Sequence, residues 1–516
     1  MKKQLLVLYF TLTCNMLFSQ MNFQRTIGTP DFDECEGMVV TSDGGFAVTG
    51  HIHASALSNL FLTKFDQNGV FQWSKVLEVP IFTYASDIKL DHDGNFVFLG
   101  YTNDFNSKSI ILYKTDSLGN LIWSKIYENA NQVLAGSICI QNDGYIVCGS
   151  ITNSSAFVLK TDTSGNLIWS HGWIEGIFTI LNNCNTTYDG GIIACGFYKP
   201  NTSINIPIVA KYDQFGNTEW EKIIDIGTSA YAGSIKQTTD SGYIMCSSEE
   251  NYDSLDYATL TRLNSDGSLR WKKNYYSTLI NKVSELNLNS DGSILLSGGR
   301  LTIRSVADTY IYFIMKTDSL GNVIWANSYG DDSLWSNIAS VQPSASNGYF
   351  VAGSAYVSPT LKSEIYIMHI DDNGSSGCNQ NAVPIFEDFS TATISSGLSS
   401  TSSFSVSNFP FTSTQLNFTD QIICSTIGIG EQNFYKSKIY PVPTQQSLTI
   451  DFGIKSFSNI EIQIIDNLGR VLRTEKHSNS NESFEIDVSN LTTGIYFVTL
   501  WNGHLAKSAY RFVKIE

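Results

Sequence analysis

Seven histidines and a recurring set of acids are the side chains in this sequence able to hold a metal or move a proton. The histidines are His51, His53, His92, His171, His369, His477 and His504. His51 and His53 stand two apart, so on a strand both leave the same face, the first requirement of a metal site. No carboxylate or cysteine recurs beside them at ligand spacing, and the pair reads as two surface imidazoles. The sequence holds no Gly-x-Ser-x-Gly elbow, no His-Glu-x-x-His pair and no phosphate-binding loop. It points to no catalytic residue, no metal ligand and no cofactor.

The acids follow a rule. Asp66, Asp116, Asp162, Asp213, Asn264, Asp318 and Asp371 each precede a glycine by three residues. All but the last precede Trp73, Trp123, Trp169, Trp220, Trp271 or Trp325 by seven; Cys378 holds that place in the last copy. A catalytic pair breaks symmetry, whereas these residues occupy one position in every copy. They are expected to cap a hairpin turn, the side chain accepting backbone N–H bonds while the glycine takes a positive φ. Calcium needs six or more oxygens, and one such turn offers too few. The tryptophans are expected to fill space between neighbouring repeats.

The elements that position these residues follow from a second half of the same repeat. A turn and an apolar strand recur as Asp43–Gly50, Asp93–Gly100, Asp143–Gly149, Asp189–Gly196, Asp240–Ser247, Asp291–Gly298 and Asn347–Gly353, about 50 residues apart. Each repeat therefore supplies four strands. One such unit cannot bury both faces, but seven closed into a ring can. The last copy lacks its tryptophan strand, while Phe23–Gly28 aligns without gaps with Trp325–Gly330, an aromatic at the start and a glycine at the end. The expected fold class is all-β: a seven-bladed β-propeller of four-stranded blades over residues 21–377, its last blade closed by the N-terminal strand. The pattern resembles secreted bacterial β-propeller repeats and, more distantly, the tryptophan-docking motif of quinoprotein propellers. In those families the motif holds blades together.

The flanks read differently. Lys2, Lys3 and an apolar run over Leu5–Phe18, ending at Ser19-Gln20, make residues 1–20 a signal peptide that is too short to span a bilayer. No later segment is apolar enough to cross a membrane. Residues 378–434 are Ser/Thr-rich without clear period and read as a linker with some strand. Residues 435–516 regain alternation and are expected to form a small β-sandwich. They resemble the type A sorting domain of the type IX secretion system, through Tyr440, Pro441 and Pro443, then Ile462–Arg470 with Gly469. Leu491–Val498 with Gly494 and Tyr496, and the basic end with Lys514, complete the match. The family usually has Asn where Val442 stands. The resemblance implies passage through the periplasm, recognition by the type IX machinery, and release or attachment at the outer surface.

Cys148, Cys195 and Cys246 share one repeat position and read as small buried filler. Cys139 and Cys184, on partner strands, could cross-link locally, and Cys378 with Cys424 is the disulfide most suited to an oxidising compartment. A net charge of −16 disfavours nucleic acid. With every strong motif assigned to scaffold or export, the favoured role is a non-enzymatic platform for a glycan or protein ligand. A hydrolase or lyase acting on extracellular polysaccharide and a structural adhesion component are the alternatives. An unsymmetrical acid, Arg and His cluster at a channel mouth would favour the enzyme; a shallow aromatic-lined face would favour binding.

Overall fold

The computed structural model describes residues 22–515 except 55–56, 79–81, 103–107, 130, 153–154, 174–177, 201–203, 251–255, 278–279, 303–308, 330–335, 346, 358–361, 378–379, 391, 397–398, 402–404, 409–411, 416–418, 426–437, 443, 452–459, 467–469, 478–482 and 503–504. The signal-peptide reading, Cys378, Pro443 and Gly469 lie outside the described residues. The chain forms two compact units, residues 1–426 and 427–516.

The first unit is all-β and contains seven antiparallel sheets of five strands. Sheet 1 shows the plan: Phe32–Val40, Phe46–Ala54, Leu57–Phe65 and Phe71–Glu78 run as a meander. The second and third strands of a sheet are buried on both faces, as in Gly144–Ile151, where every residue is buried. That explains their unbroken apolar runs. The first strand of each sheet is innermost and packs on the next sheet in chain order; the seventh sheet packs on the first. The sheets thus close into a ring, consistent with a β-propeller.

Every innermost strand carries a one-residue register shift at the same place, between Cys35 and Gly37, Ala85 and Asp87, Ala135 and Ser137, and equivalently in the other four. Such a bulge turns the residues beyond it to the other face.

Closure of the ring rests on Phe23–Gly28. This strand pairs with Lys362–Ile370 in sheet 7, Phe23 opposite His369 and Ile27 opposite Ile365. All six of its residues are buried. His369 is wedged here, its Nδ1 2.8 Å from Asn22 Oδ1. Burial pushes its imidazole down to about 4 from an ordinary 6.5. The unfolded chain therefore binds the proton first as pH falls. This contribution to stability is whole above pH 6.5, declines towards pH 4 and is flat below. Its size is at most ~3 kcal/mol. The melting temperature of the wild type should fall more steeply over that window than that of His369→Gln; parallel slopes would remove His369 from the account.

The Ser/Thr-rich stretch has extensive strand content, which pairs with the ring. Its backbone circles the ring against chain order. Gln380–Ala382 joins sheet 6, Phe386–Ser390 sheet 5, Thr393–Ser396 sheet 4 and Ser399–Thr401 sheet 3. Ser405–Asn408 then joins sheet 2, Thr412–Gln415 sheet 1, and Thr419–Ser425 the N-terminal strand in sheet 7. Each piece is the fifth, outermost strand of its sheet, added to a four-stranded meander as part of a belt. The physical reason is the exposed row of backbone N–H and C=O groups on each outer strand, which another strand can satisfy.

The second unit holds a three-stranded and a four-stranded antiparallel sheet. Leu448, Ile450, Ile462, Ile464, Val498 and Phe512 form its core.

Candidate functional site

The repeat residues divide into three structural jobs. Asp66 Oδ1 accepts the backbone N–H groups of Asn68 and Val70 at 2.8 and 2.9 Å. Asp116, Asp162, Asp213, Asp318 and Asp371 do the same in their own turns. Asn264 differs: its turn is capped by Asp266, whose Oδ1 accepts from Ser268 N–H. Hydrogen bonds from the Asn217 side chain and from backbone N–H groups hold Asp213 below the usual carboxylate range. These acids therefore act as turn caps.

The tryptophans lie against the turn glycines of the next sheet. A Cβ on Gly119 would fall 2.7 Å from Trp73, and one on Gly165 would meet Trp123. Trp169 meets Gly216, Trp220 Gly267, Trp271 Gly321 and Trp325 Gly374 in the same way. Phe23 completes the series: a Cβ on Gly69 would fall 2.5 Å from its ring, and Gly69 has φ +69°. The repeat lysine reaches back to the first turn of its own sheet, Lys64 to Asp43 at 2.9 Å and Lys211 to Asp189 at 3.0 Å.

Both hairpin turns of a sheet lie at one end, which makes a turn face. On it, a cavity of about 570 Å³ opens between sheets 3 and 4. Tyr188 and Phe215 stand 70% and 69% exposed over it, with Ile168 and Trp169 on its wall. Lys160 and Asp143, paired at 2.9 Å, and Gln214 supply polar groups. The Tyr188 tip is fixed by its N–H donating to Gln237 at 2.6 Å, and Gln141 braces it by donating to Gly190 O at 2.9 Å. The sequence reading did not single out these aromatics, yet a signal existed. At the place of Tyr188 other copies carry Ser42, His92, Asn142, Thr239, Ser290 and Ser346; at that of Phe215 they carry Asn68, Leu118, Ser164, Asp266, Leu320 and Asn373, so Phe215 is the aromatic at that position.

The channel lining is polar and unsymmetrical. Asp87 accepts from Ser137 Oγ and Ile138 N–H of the next sheet at 2.8 and 3.1 Å. Lys89 lies 2.5 Å from its other oxygen. Glu285 likewise accepts from Val341 N–H at 2.7 Å, although burial pushes its carboxyl up. Lys236 donates to Asn185 at 2.8 Å, and burial lowers its pKa. These carboxylates brace one sheet against the next.

At the opposite, loop-bearing end the structure corrects the surface reading of His51, while His53 is half-buried. His51 is 2% exposed. The bulge sets Glu34 directly opposite it, bringing Glu34 Oε2 within 3.1 Å of His51 Nε2. Without that shift the hairpin register would place Ile52 opposite Glu34. Glu36 lies 4.0 Å from His51 Nδ1, and Tyr84 stands edge-on to His51, ring centroids 4.7 Å apart. A recess of about 310 Å³ opens beside them, lined by Glu36, His51, Tyr84, Tyr101 and Asn182.

Six cysteines among the described residues, Cys35, Cys139, Cys148, Cys184, Cys195 and Cys246, are buried and free. Cys139 and Cys184 are thus not bridged here. Cys424 pairs through its backbone with Gln24.

In the second unit Tyr440 is exposed, followed by Pro441. Gly494 pairs with Lys514 across the last two strands, and the Tyr496 hydroxyl donates to Thr492 O at 2.8 Å. Residues 438–514 match the family described as the secretion system C-terminal sorting domain. The chain carries a type IX sorting domain. It is accordingly exported to the cell surface or secreted, and the type IX machinery is a partner. Among the described residues no helix is long and apolar enough to cross a membrane. No curated protein matches the chain. Similar solved structures include a putative glycoside hydrolase from Parabacteroides distasonis, 11% identical over 46% of this chain and 85% of its own, with a TM-score of 0.24. Another is the tail fiber of Staphylococcus aureus phage P68, 7% identical over 60% and 96%, with a TM-score of 0.15.

Proposed function

We propose that the ring is a non-enzymatic binding platform outside the cell, and that the groove between sheets 3 and 4 takes a glycan. The observation that carries this reading is the pair Tyr188 and Phe215, exposed on braced turn tips beside Trp169. Large apolar side chains held in water on a rigid scaffold are a standing gain for any ligand that covers them. Sugars offer apolar C–H faces to stack on aromatic rings and hydroxyls for Lys160, Asp143 and Gln214 to bind. Asp87 and Glu285 already brace neighbouring sheets by accepting bonds from them, which favours a platform. The Glu34, His51 and His53 cluster at the loop face is the feature that would suit an enzyme, and assay of hydrolysis products separates the two.

The test is a glycan and polysaccharide binding screen on residues 21–516, with hydrolysis products assayed alongside. Tyr188→Ala and Phe215→Ala should each weaken binding by about tenfold or more, the mark of a buried aromatic anchor. Unchanged affinity in the double variant, release of new chain ends, or capture of proteins alone would overturn the proposal.

A further inference from the structure

The cluster at the loop-face mouth of the channel has the composition and spacing of a metal site. Glu34, His51 and His53 each offer one donor atom, all within 4.8 Å of one another. His51 is the anchor. It is fully buried, and neither ring nitrogen has a hydrogen-bond partner of good geometry. A buried imidazole left so is costly unless something else occupies its lone pair. Its Nε2 faces Glu34 and its Nδ1 faces Glu36. That is the arrangement in which one nitrogen binds a metal while a carboxylate behind the ring orients it.

We propose that Glu34, His51 and His53 bind one divalent transition-metal ion of the zinc class, with Glu36 as the orienting carboxylate behind His51. Two imidazoles and one carboxylate suit zinc and leave a fourth position for water or a ligand. Calcium and magnesium need more oxygens than Glu34 and Glu36 supply. Tetrahedral zinc spaces its donors roughly 3.4 Å apart, so the widest separation must contract. Glu34 and His53 are only half-buried and can rotate inward, whereas His51 is held by packing against Tyr84. The site lies at the opposite face from the aromatic groove and does not depend on it.

Cobalt(II) is the probe, titrated into the metal-free mature chain. One equivalent should bind, giving the visible absorption of a low-coordinate cobalt site, displaced by zinc and not by calcium. Glu34→Gln and His53→Gln should abolish that spectrum, and Glu36→Gln should weaken binding by about 10- to 100-fold. Zinc should raise the melting temperature of the wild type and not of the two ligand variants, whose metal-free melting should match the wild type and so report an intact fold. Tyr188→Ala should bind cobalt normally. Failure to bind one equivalent, or a spectrum that survives both Glu34→Gln and His53→Gln, overturns the proposal.

Discussion

A chain beginning at Thr29 is expected not to form the ring at all, losing its cooperative melting transition and eluting as aggregate. Eight residues removed from the end of an open array would cost one frayed strand. Here Phe23–Gly28 lies between Lys362–Ile370 on one side and Thr419–Ser425 on the other, so its loss unpairs two strands inside a sheet. Phe23 and Ile27 are 1% and 0% exposed, and each buried side chain of that size is worth about 2–3 kcal/mol. Gln24 adds buried bonds, donating to Ser376 Oγ at 2.8 Å and accepting from the Tyr366 hydroxyl at 2.6 Å. The finer test is Phe23→Ala, which leaves the strand and removes only the ring over Gly69. It should cost about 3–5 kcal/mol, read as a drop in denaturation midpoint at unchanged slope. A shortened chain that melts within a few degrees of the wild type would show that sheet 7 does not need its borrowed strand.

The parts of this architecture that were legible share one property: they repeat. Six Asp-x-x-Gly turns with one Asn variant, and six tryptophans, expose their role by recurrence, and Phe23 could be recognised because it fills the same slot with a different aromatic. What was hidden breaks the repeat or leaves no side-chain trace. The bulge after Cys35 is a backbone event; the alternation of Glu34 and Glu36 with buried Asp33 and Cys35 suits an amphipathic strand with or without it. Yet that one-residue shift decides whether Glu34 faces His51. Tyr188 and Phe215 were visible as letters but sit at turn tips, where any residue is tolerated and an aromatic gains meaning only from its neighbours in space. The belt was illegible for a third reason. Its strands pair three to seven residues at a time with a sheet edge, so no long alternation can build up, and Ser and Thr satisfy an exposed edge without advertising a core.

The belt is also where the second large effect should appear. A chain ending at Gly377 keeps all seven meanders and the Phe23 strand but loses the outermost strand of every sheet. Each hydrogen bond lost contributes only about 1 kcal/mol, but seven pairings go together, and with them the apolar contacts of Val383, Ile385, Ala392 and Ile394 on the clusters between sheets. Val383 is 8% exposed and its N–H donates to Ala326 O at 2.9 Å, so it seals as well as pairs. Truncation should therefore lower the melting temperature by more than about 10 °C, given that 1 kcal/mol shifts a domain of a few hundred residues by roughly 2–4 °C. The bare edges should also pair between molecules, so that oligomers grow with concentration. Adding the peptide 378–426 in trans should reverse both changes in part. A truncated ring that stays monomeric and melts with the wild type would mean that the belt merely rests on the sheets. In the intact chain its last strand lies on Phe23–Gly28, so the end of the belt and the N-terminal strand should support each other, and losing either should weaken the same sheet.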